Sequence, residues 1–77
     1  MFSLPKEALV LLRAEYPRGA RVELVRMDDD PRPVPVGTRG TVQGVDDTGS
    51  IIVAWDNGRS LHVLYGKDEC RIIEERG

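Results

Sequence analysis

The spacing of apolar residues changes along the chain from a helical period to the two-residue period of strands. Between residues 3 and 15 the apolar positions recur every three to four residues, which predicts a short amphipathic helix with Ser3 as its cap. The residue before Pro17 avoids helical backbone angles, so the helix should end near Tyr16. Beyond it, short apolar stretches between turn signals predict five strands, at residues 21–27, 38–45, 50–55, 60–64 and 70–74.

The predicted helix has one apolar side, which should pack on the strands. This side consists of Leu4, Ala8, Leu11, Leu12 and Glu15, with Leu9 and Tyr16 beside it. We expect the helix to cover one open end of the structure that follows. A role in dimerisation or in binding a partner is the alternative.

The first two strands carry signals for inward side chains and for bends. Val22 and Leu24 should point inward, with a bend near Val25. Gly40 and Gly44 mark places where the second strand bends or where its backbone approaches a neighbour.

The register between the third and fourth strands follows from their apolar residues. A two-residue turn would mix apolar and polar residues on each face of the hairpin. A three-residue turn, with Gly58 in the left-handed region, pairs Val53 with Leu61 and Ile51 with Val63. Only the second register gives one apolar face, so it is the one we predict.

That register also determines where the only tryptophan and the only histidine point. Trp55 shares the face of Ile51 and Val53, which places it in the core or at its rim. His62 lies opposite Ile52 and points outward.

Taken together, the elements predict an all-β fold, a small five-stranded SH3-like barrel preceded by one short helix. Residues 1–16 would form the helix packed on the barrel, and residues 17–77 the barrel domain. The loop over residues 28–37 holds three prolines, which forbid regular strand pairing. A stiff loop loses little entropy on binding, so this one is a reasonable contact surface.

Several segments resemble a small bacterial and phage domain of unknown function. The matching runs read GARVEL at residues 19–24, PVGTRGTV at 35–42, VDDTG at 45–49 and VAWDNGRSL at 53–61. More distantly, residues 37–42 and the following hairpin are similar to SH3-like modules of the mind-bomb and KOW types. Those modules imply contact with peptides and with RNA, respectively. The family itself brings no agreed activity, so the resemblance implies a fold and leaves the function open.

Charge and the rarity of reactive side chains narrow the possible activities. The net charge is −2, from 11 basic and 13 acidic residues, which argues against non-specific binding of phosphate backbones and departs from a KOW-type RNA binder. Cys70 and His62 are each the only residue of their type, so neither a disulfide nor a zinc cluster is expected. The acidic runs at 28–30 and 46–47 lack the spacing of a calcium loop and are typical of turns. We therefore predict no catalysis, no metal and no cofactor.

Localisation and function are predicted by elimination. No signal peptide or membrane span is evident, so a cytoplasmic location is expected. The leading hypothesis is a non-catalytic interaction module of bacterial or phage origin that binds a protein or peptide. The alternative is a nucleic-acid-associated accessory protein, with six arginines along one face and Tyr65 or Trp55 for base stacking. A structural domain of a larger phage assembly is a third.

The candidate binding residues lie where the long loop would face the hairpin turn. Carboxylates there would contact a basic ligand, and arginines an acidic one. The candidates are Asp28, Asp30, Arg32, Arg59 and Tyr65.

Overall fold

A computed structural model describes residues 5–27 and 33–74 of the chain, which form one helix and five strands. In chain order they are α1 (Lys6–Glu15), β1 (Arg21–Arg26), β2 (Arg39–Val45), β3 (Ser50–Trp55), β4 (Ser60–Leu64) and β5 (Glu69–Ile72). The predicted cap Ser3 lies outside the described residues. Pro5 stands at the N-cap position, and its carbonyl accepts the first helical hydrogen bond, from the Leu9 N–H at 3.1 Å.

The strands form one antiparallel sheet in the order β4-β3-β2-β1-β5. The first strand therefore pairs with the last, and β4 and β5 are the two edges of the sheet. The sheet is open, since no ladder joins these two edges among the described residues. The predicted all-β architecture with one N-terminal helix is confirmed at this level.

The hairpin of β3 and β4 has the predicted register. Val53 is paired with Leu61, and Ile51 with Val63. Gly58 has a φ of 88°, in the left-handed region that glycine adopts without strain. The bulged three-residue turn is confirmed.

Two irregularities bend the sheet where the sequence predicted bends. The register of β1 against β5 shifts between Leu24 and Arg26. The register of β2 against β3 shifts between Val42 and Gly44. Because such bulges increase the local twist of a strand, they curve the sheet around its apolar face.

The core lies between this concave face and the helix. Its buried residues are Leu12, Val22, Leu24, Met27, Val34, Val42, Ile51, Val53, Trp55, Val63 and Cys70. The predicted positions of Trp55 in the core and of His62 on the exposed side are confirmed.

The buried side of the helix differs from the predicted one. Leu9 and Leu12 are buried, whereas Leu11 is 70% exposed. Two side-chain contacts fix the rotation of the helix about its axis. The Arg13 guanidinium donates to the Val45 carbonyl at 3.3 Å and to the Asp47 carboxylate at 2.9 Å, and the Tyr16 hydroxyl bonds to β5. The stripe of Leu9, Leu12 and Tyr16 therefore faces the sheet in place of the neighbouring stripe that holds Leu11.

The end of the long loop is anchored to the domain. Val34 is only 2% exposed and belongs to the core. The Gly37 N–H donates to the Leu24 carbonyl at 2.8 Å, and the Arg59 guanidinium donates to the Pro33 carbonyl at 3.2 Å. Residues 33–37 are thus tied down on both sides, and Val36 is their exposed apolar side chain.

Candidate functional site

Two of the five predicted binding residues are described, and the structure does not bring them together. Asp28, Asp30 and Arg32 lie outside the described residues. Arg59 lies in the turn that precedes β4 and bonds to the loop, whereas Tyr65 follows the other end of β4. The predicted site between the loop and the hairpin turn therefore does not include Tyr65.

Tyr65 instead borders a cleft at the opening of the sheet. The cleft has a volume of about 340 Å³ and lies between the end of α1 and the segment that joins β4 to β5. Its floor is apolar and is formed by Leu12, Ile51, Val63 and Cys70. These residues come from α1, β3, β4 and β5, so the cleft exists only in the assembled fold.

Local structure explains how this floor forms. Ile51 and Val63 are directly paired on the apolar face of the β3–β4 hairpin. Cys70 is paired with Leu24 across β1 and β5, which places it on the same concave face. Leu12 is carried in by the helix. These four side chains belong to the core and close the bottom of the cleft, where each is 6% exposed or less.

Tyr16 and Cys70 join the helix to the edge of the sheet on one wall of the cleft. The Tyr16 hydroxyl donates to the Cys70 carbonyl at 3.2 Å. Burial, together with negative charge nearby that includes Glu15 and Glu69, raises the pKa of Tyr16 to about 12. Burial also raises the pKa of the Cys70 thiol to about 11. The Cys70 thiol is therefore protonated at neutral pH.

Replacing Tyr16 with phenylalanine is expected to lower stability and to change its dependence on alkaline pH. Loss of one hydrogen bond should cost about 1 kcal/mol at neutral pH. The Tyr16 pKa is raised from 10.0 to about 12, so its contribution to stability is complete below pH 10 and is lost as the pH rises toward 12. Urea unfolding at a series of pH values should show a shallower alkaline decline for Tyr16→Phe than for the wild type. The exposed Tyr65→Phe is the control, and identical pH profiles for the two variants would contradict the assignment.

The rim of the cleft carries an excess of negative charge. Three carboxylates line it, those of Glu15, Asp68 and Glu69, against the single guanidinium of Arg26. The Asp68 carboxylate accepts a hydrogen bond from the Leu64 N–H at 3.1 Å, which fixes its position at the end of β4. Among the residues that line the cleft, the negative charges exceed the positive ones by two.

The arginines that were considered for nucleic-acid contact are spread over the molecule. Arg21, Arg39 and Arg71 lie on the outer face of the sheet. The Glu23 carboxylate lies 3.0 Å from the Arg71 guanidinium and 3.7 Å from that of Arg39. Asp56 pairs with both terminal nitrogens of Arg21, a contact that lowers the pKa of this carboxyl. Their positive charge is therefore largely compensated locally.

Two of the remaining arginines lie apart from that face. Arg26 is at the cleft and Arg59 is at the hairpin turn. Arg32 lies outside the described residues.

The second acidic run has a structural role. One Asp46 oxygen accepts hydrogen bonds from the Thr48 hydroxyl at 2.6 Å, the Thr48 N–H at 3.0 Å and the Ser50 N–H at 2.9 Å. These bonds, led by that of the Thr48 hydroxyl, lower the pKa of Asp46. Asp46 is thus a turn-forming residue, as predicted. Over residues 5–27 and 33–74, no group of three or more His, Cys, Asp or Glu side chains is placed to hold a metal ion.

Of the residues that line the cleft, only Tyr65 is predicted from the sequence as a binding residue. The pattern of the sequence places Ile51 and Val63 in the core and Leu12 on the helix face, and nothing in their spacing indicates that they also form a floor. A weak signal lies in Asp68-Glu69, an acidic pair that begins three residues after Tyr65. Its meaning depends on the helix end, which lies far away in the sequence.

No helix in the described ranges is long and apolar enough to cross a bilayer.

Comparison with known proteins gives a family and no activity. No curated protein matches the chain. A family model described as a domain of unknown function matches residues 5–73, nearly the whole chain, so this protein belongs to the DUF4314 family.

Proposed function

We propose that this chain is a non-catalytic interaction module that binds a segment of a protein partner in the cleft at the opening of the sheet. The observation that carries the proposal is the cleft itself, a concave site of about 340 Å³ with an apolar floor and a few polar groups at its rim. This volume is within the range of about 300–1,000 Å³ that is usual for ligand sites. Tyr65 adds an aromatic side chain that is 61% exposed, a residue type enriched at protein interfaces.

The proposal includes an SH3-like barrel as the fold. The pairing of β1 with β5 and the bulges in β1 and β2 support it, since a short sheet needs both features to bend round on itself. The same curvature brings the helix end against β5 and so forms the cleft.

The reactive side chains of the described chain support a binding role over a catalytic one. The Cys70 thiol is buried and has a raised pKa. His62 is paired with Ile52 on the exposed face of the hairpin and is directed away from the cleft. Within the described residues, these two side chains do not form the nucleophile and base pair that covalent catalysis uses.

Selection from a random peptide library tests the proposal. Peptides enriched on the wild-type domain should lose at least tenfold in affinity for the Tyr65→Ala variant, because an exposed aromatic anchor at the cleft is removed. The matched control is Leu11→Ala, which truncates a side chain that is 70% exposed on the helix. That control also tests the alternative in which the helix contacts the partner.

Two results would contradict the proposed function. One is a failure to enrich any peptide, and the other is enrichment of peptides whose affinity is independent of Tyr65. Oligonucleotide binding is measured in parallel at low salt, with the same two variants. Binding that weakens steeply with added salt would favour the nucleic-acid alternative.

A further inference from the structure

We infer that the cleft selects a basic segment of its protein partner, one with an arginine or lysine next to an aliphatic residue. The inference rests on the proposed function and specifies the ligand of that site. Two features of the cleft support it. The acidic rim would attract the cationic side chain of the segment, and the apolar part of the cleft would contact the aliphatic residue.

The rim supplies the attraction for a cation. Glu15 ends α1, and Asp68 and Glu69 stand at the start of β5, so carboxylates face the cleft from two sides. Glu15 and Glu69 line the same cleft as Tyr16 and Cys70 and, after burial, contribute to the raised pKa of both. A cationic side chain in the opening would meet complementary charge on both sides.

Two nearby arginines do not neutralise the negative charge of the rim. Arg13, close to Glu15 in the helix, has its guanidinium on Asp47 and the Val45 carbonyl. Arg26 offsets one of the three rim carboxylates, and an excess of two remains. Lys67 lies in the chain between the lining residues Gly66 and Asp68 but does not itself line the cleft. Counting it as well leaves the rim with an excess of one negative charge.

The floor and walls supply the apolar half of the recognition. Leu12, Ile51 and Val63 close the bottom of the cleft and are each 5% exposed or less, so the larger apolar surface for an aliphatic residue of the ligand is the ring of Tyr65. The ring of Tyr65 can lie along the methylene stem of an arginine or under its guanidinium, a contact that favours arginine over lysine. Phosphate-bearing ligands are disfavoured at this site because the rim carboxylates would repel them.

Three dipeptide probes that differ only in charge test the inference. They are the acetylated and amidated forms of Leu-Arg, Leu-Gln and Leu-Glu, titrated into the domain while the methyl signals of Ile51 and Val63 are followed by NMR. The Leu-Arg probe is expected to bind at least fivefold more tightly than the Leu-Glu probe. Its advantage should shrink with added salt, because exposed charges are screened.

Variants locate the effect at the rim. Glu15→Gln and Glu69→Gln should each weaken Leu-Arg binding about two- to fivefold, the scale of a single rim charge. Glu74→Gln is the matched control, because it removes the same charge two residues beyond the end of β5, outside the lining of the cleft, and should leave the affinity unchanged. Because Ile51 and Val63 line the cleft, their methyl signals report binding at this site.

The outcomes separate this inference from the proposed function. Equal binding of the three probes, or preference for Leu-Glu, overturns the inference and leaves the cleft as a binding site. Absence of methyl shifts with every probe also overturns it, and the library selection then decides the proposed function independently. Loss of affinity in Glu74→Gln equal to that in Glu69→Gln would show a general charge effect and overturn it as well.

Discussion

Gly40→Ala is expected to destabilise the folded domain by about 3 kcal/mol, at the upper end of what an added methyl group costs in a filled site. Gly40 lies on the concave face in β2, between its partners Val22 in β1 and Trp55 in β3. A Cβ atom there would lie 2.7 Å from Cγ1 of Val53 and 2.9 Å from Cε3 of Trp55. It would also lie 2.8 Å from the Ala54 carbonyl oxygen, a backbone atom held by the sheet. Side chains and backbone would both have to move.

Gly44→Ala is the matched control, in the same strand. A Cβ atom at Gly44 has no neighbour within 4 Å, and the residue does not have a positive φ. This substitution should change stability by less than about 1 kcal/mol in either direction. Urea unfolding followed by circular dichroism measures both variants. Equal stability of Gly40→Ala and Gly44→Ala would show that the close approach of β2 to β3 is relaxed in solution.

The local parts of the fold were predictable because each is determined by neighbouring residues. The turn at Gly58 follows from pairing Ile51 with Val63 and Val53 with Leu61, since a register shifted by one residue mixes polar side chains into the apolar face. The alternation of apolar residues along β3 and β4 thus specifies both the strands and the turn between them.

Other features depend on contacts between distant segments and could not be predicted. Two adjacent stripes of the helix are apolar, and the contacts of Arg13 and Tyr16 with the sheet decide which of them is buried. Val34 stands between two prolines in a stretch without periodicity, so its burial depends on how the loop returns to β1. The cleft likewise depends on contacts between distant segments, because the end of α1 and the start of β5 form its opposite sides.

Trp55→Ala is expected to cost about 3–5 kcal/mol, as is usual for removing a buried aromatic side chain. Trp55 is only 3% exposed, belongs to the core and faces the space that Gly40 leaves open. Its indole N–H donates to the Leu61 carbonyl at 3.1 Å, which satisfies the polar atom of the ring within β4. For a domain of 77 residues, such a loss is comparable with the lower end of the total stability expected. The variant should therefore be largely unfolded at moderate urea concentrations.

Two further variants separate a core role for Trp55 from a role in ligand binding. Trp55→Phe retains the apolar ring and loses the hydrogen bond to Leu61, so it should cost about 1–3 kcal/mol, less than alanine does. Tyr65→Ala truncates the exposed aromatic residue at the cleft and should change stability by less than about 0.5 kcal/mol, while reducing peptide affinity. Circular dichroism is the measurement for all three, because two of them lack the only tryptophan. If Trp55→Ala kept wild-type stability and lost peptide binding, the roles of the two aromatic residues would be reversed, and the ligand site would lie at the hairpin turn.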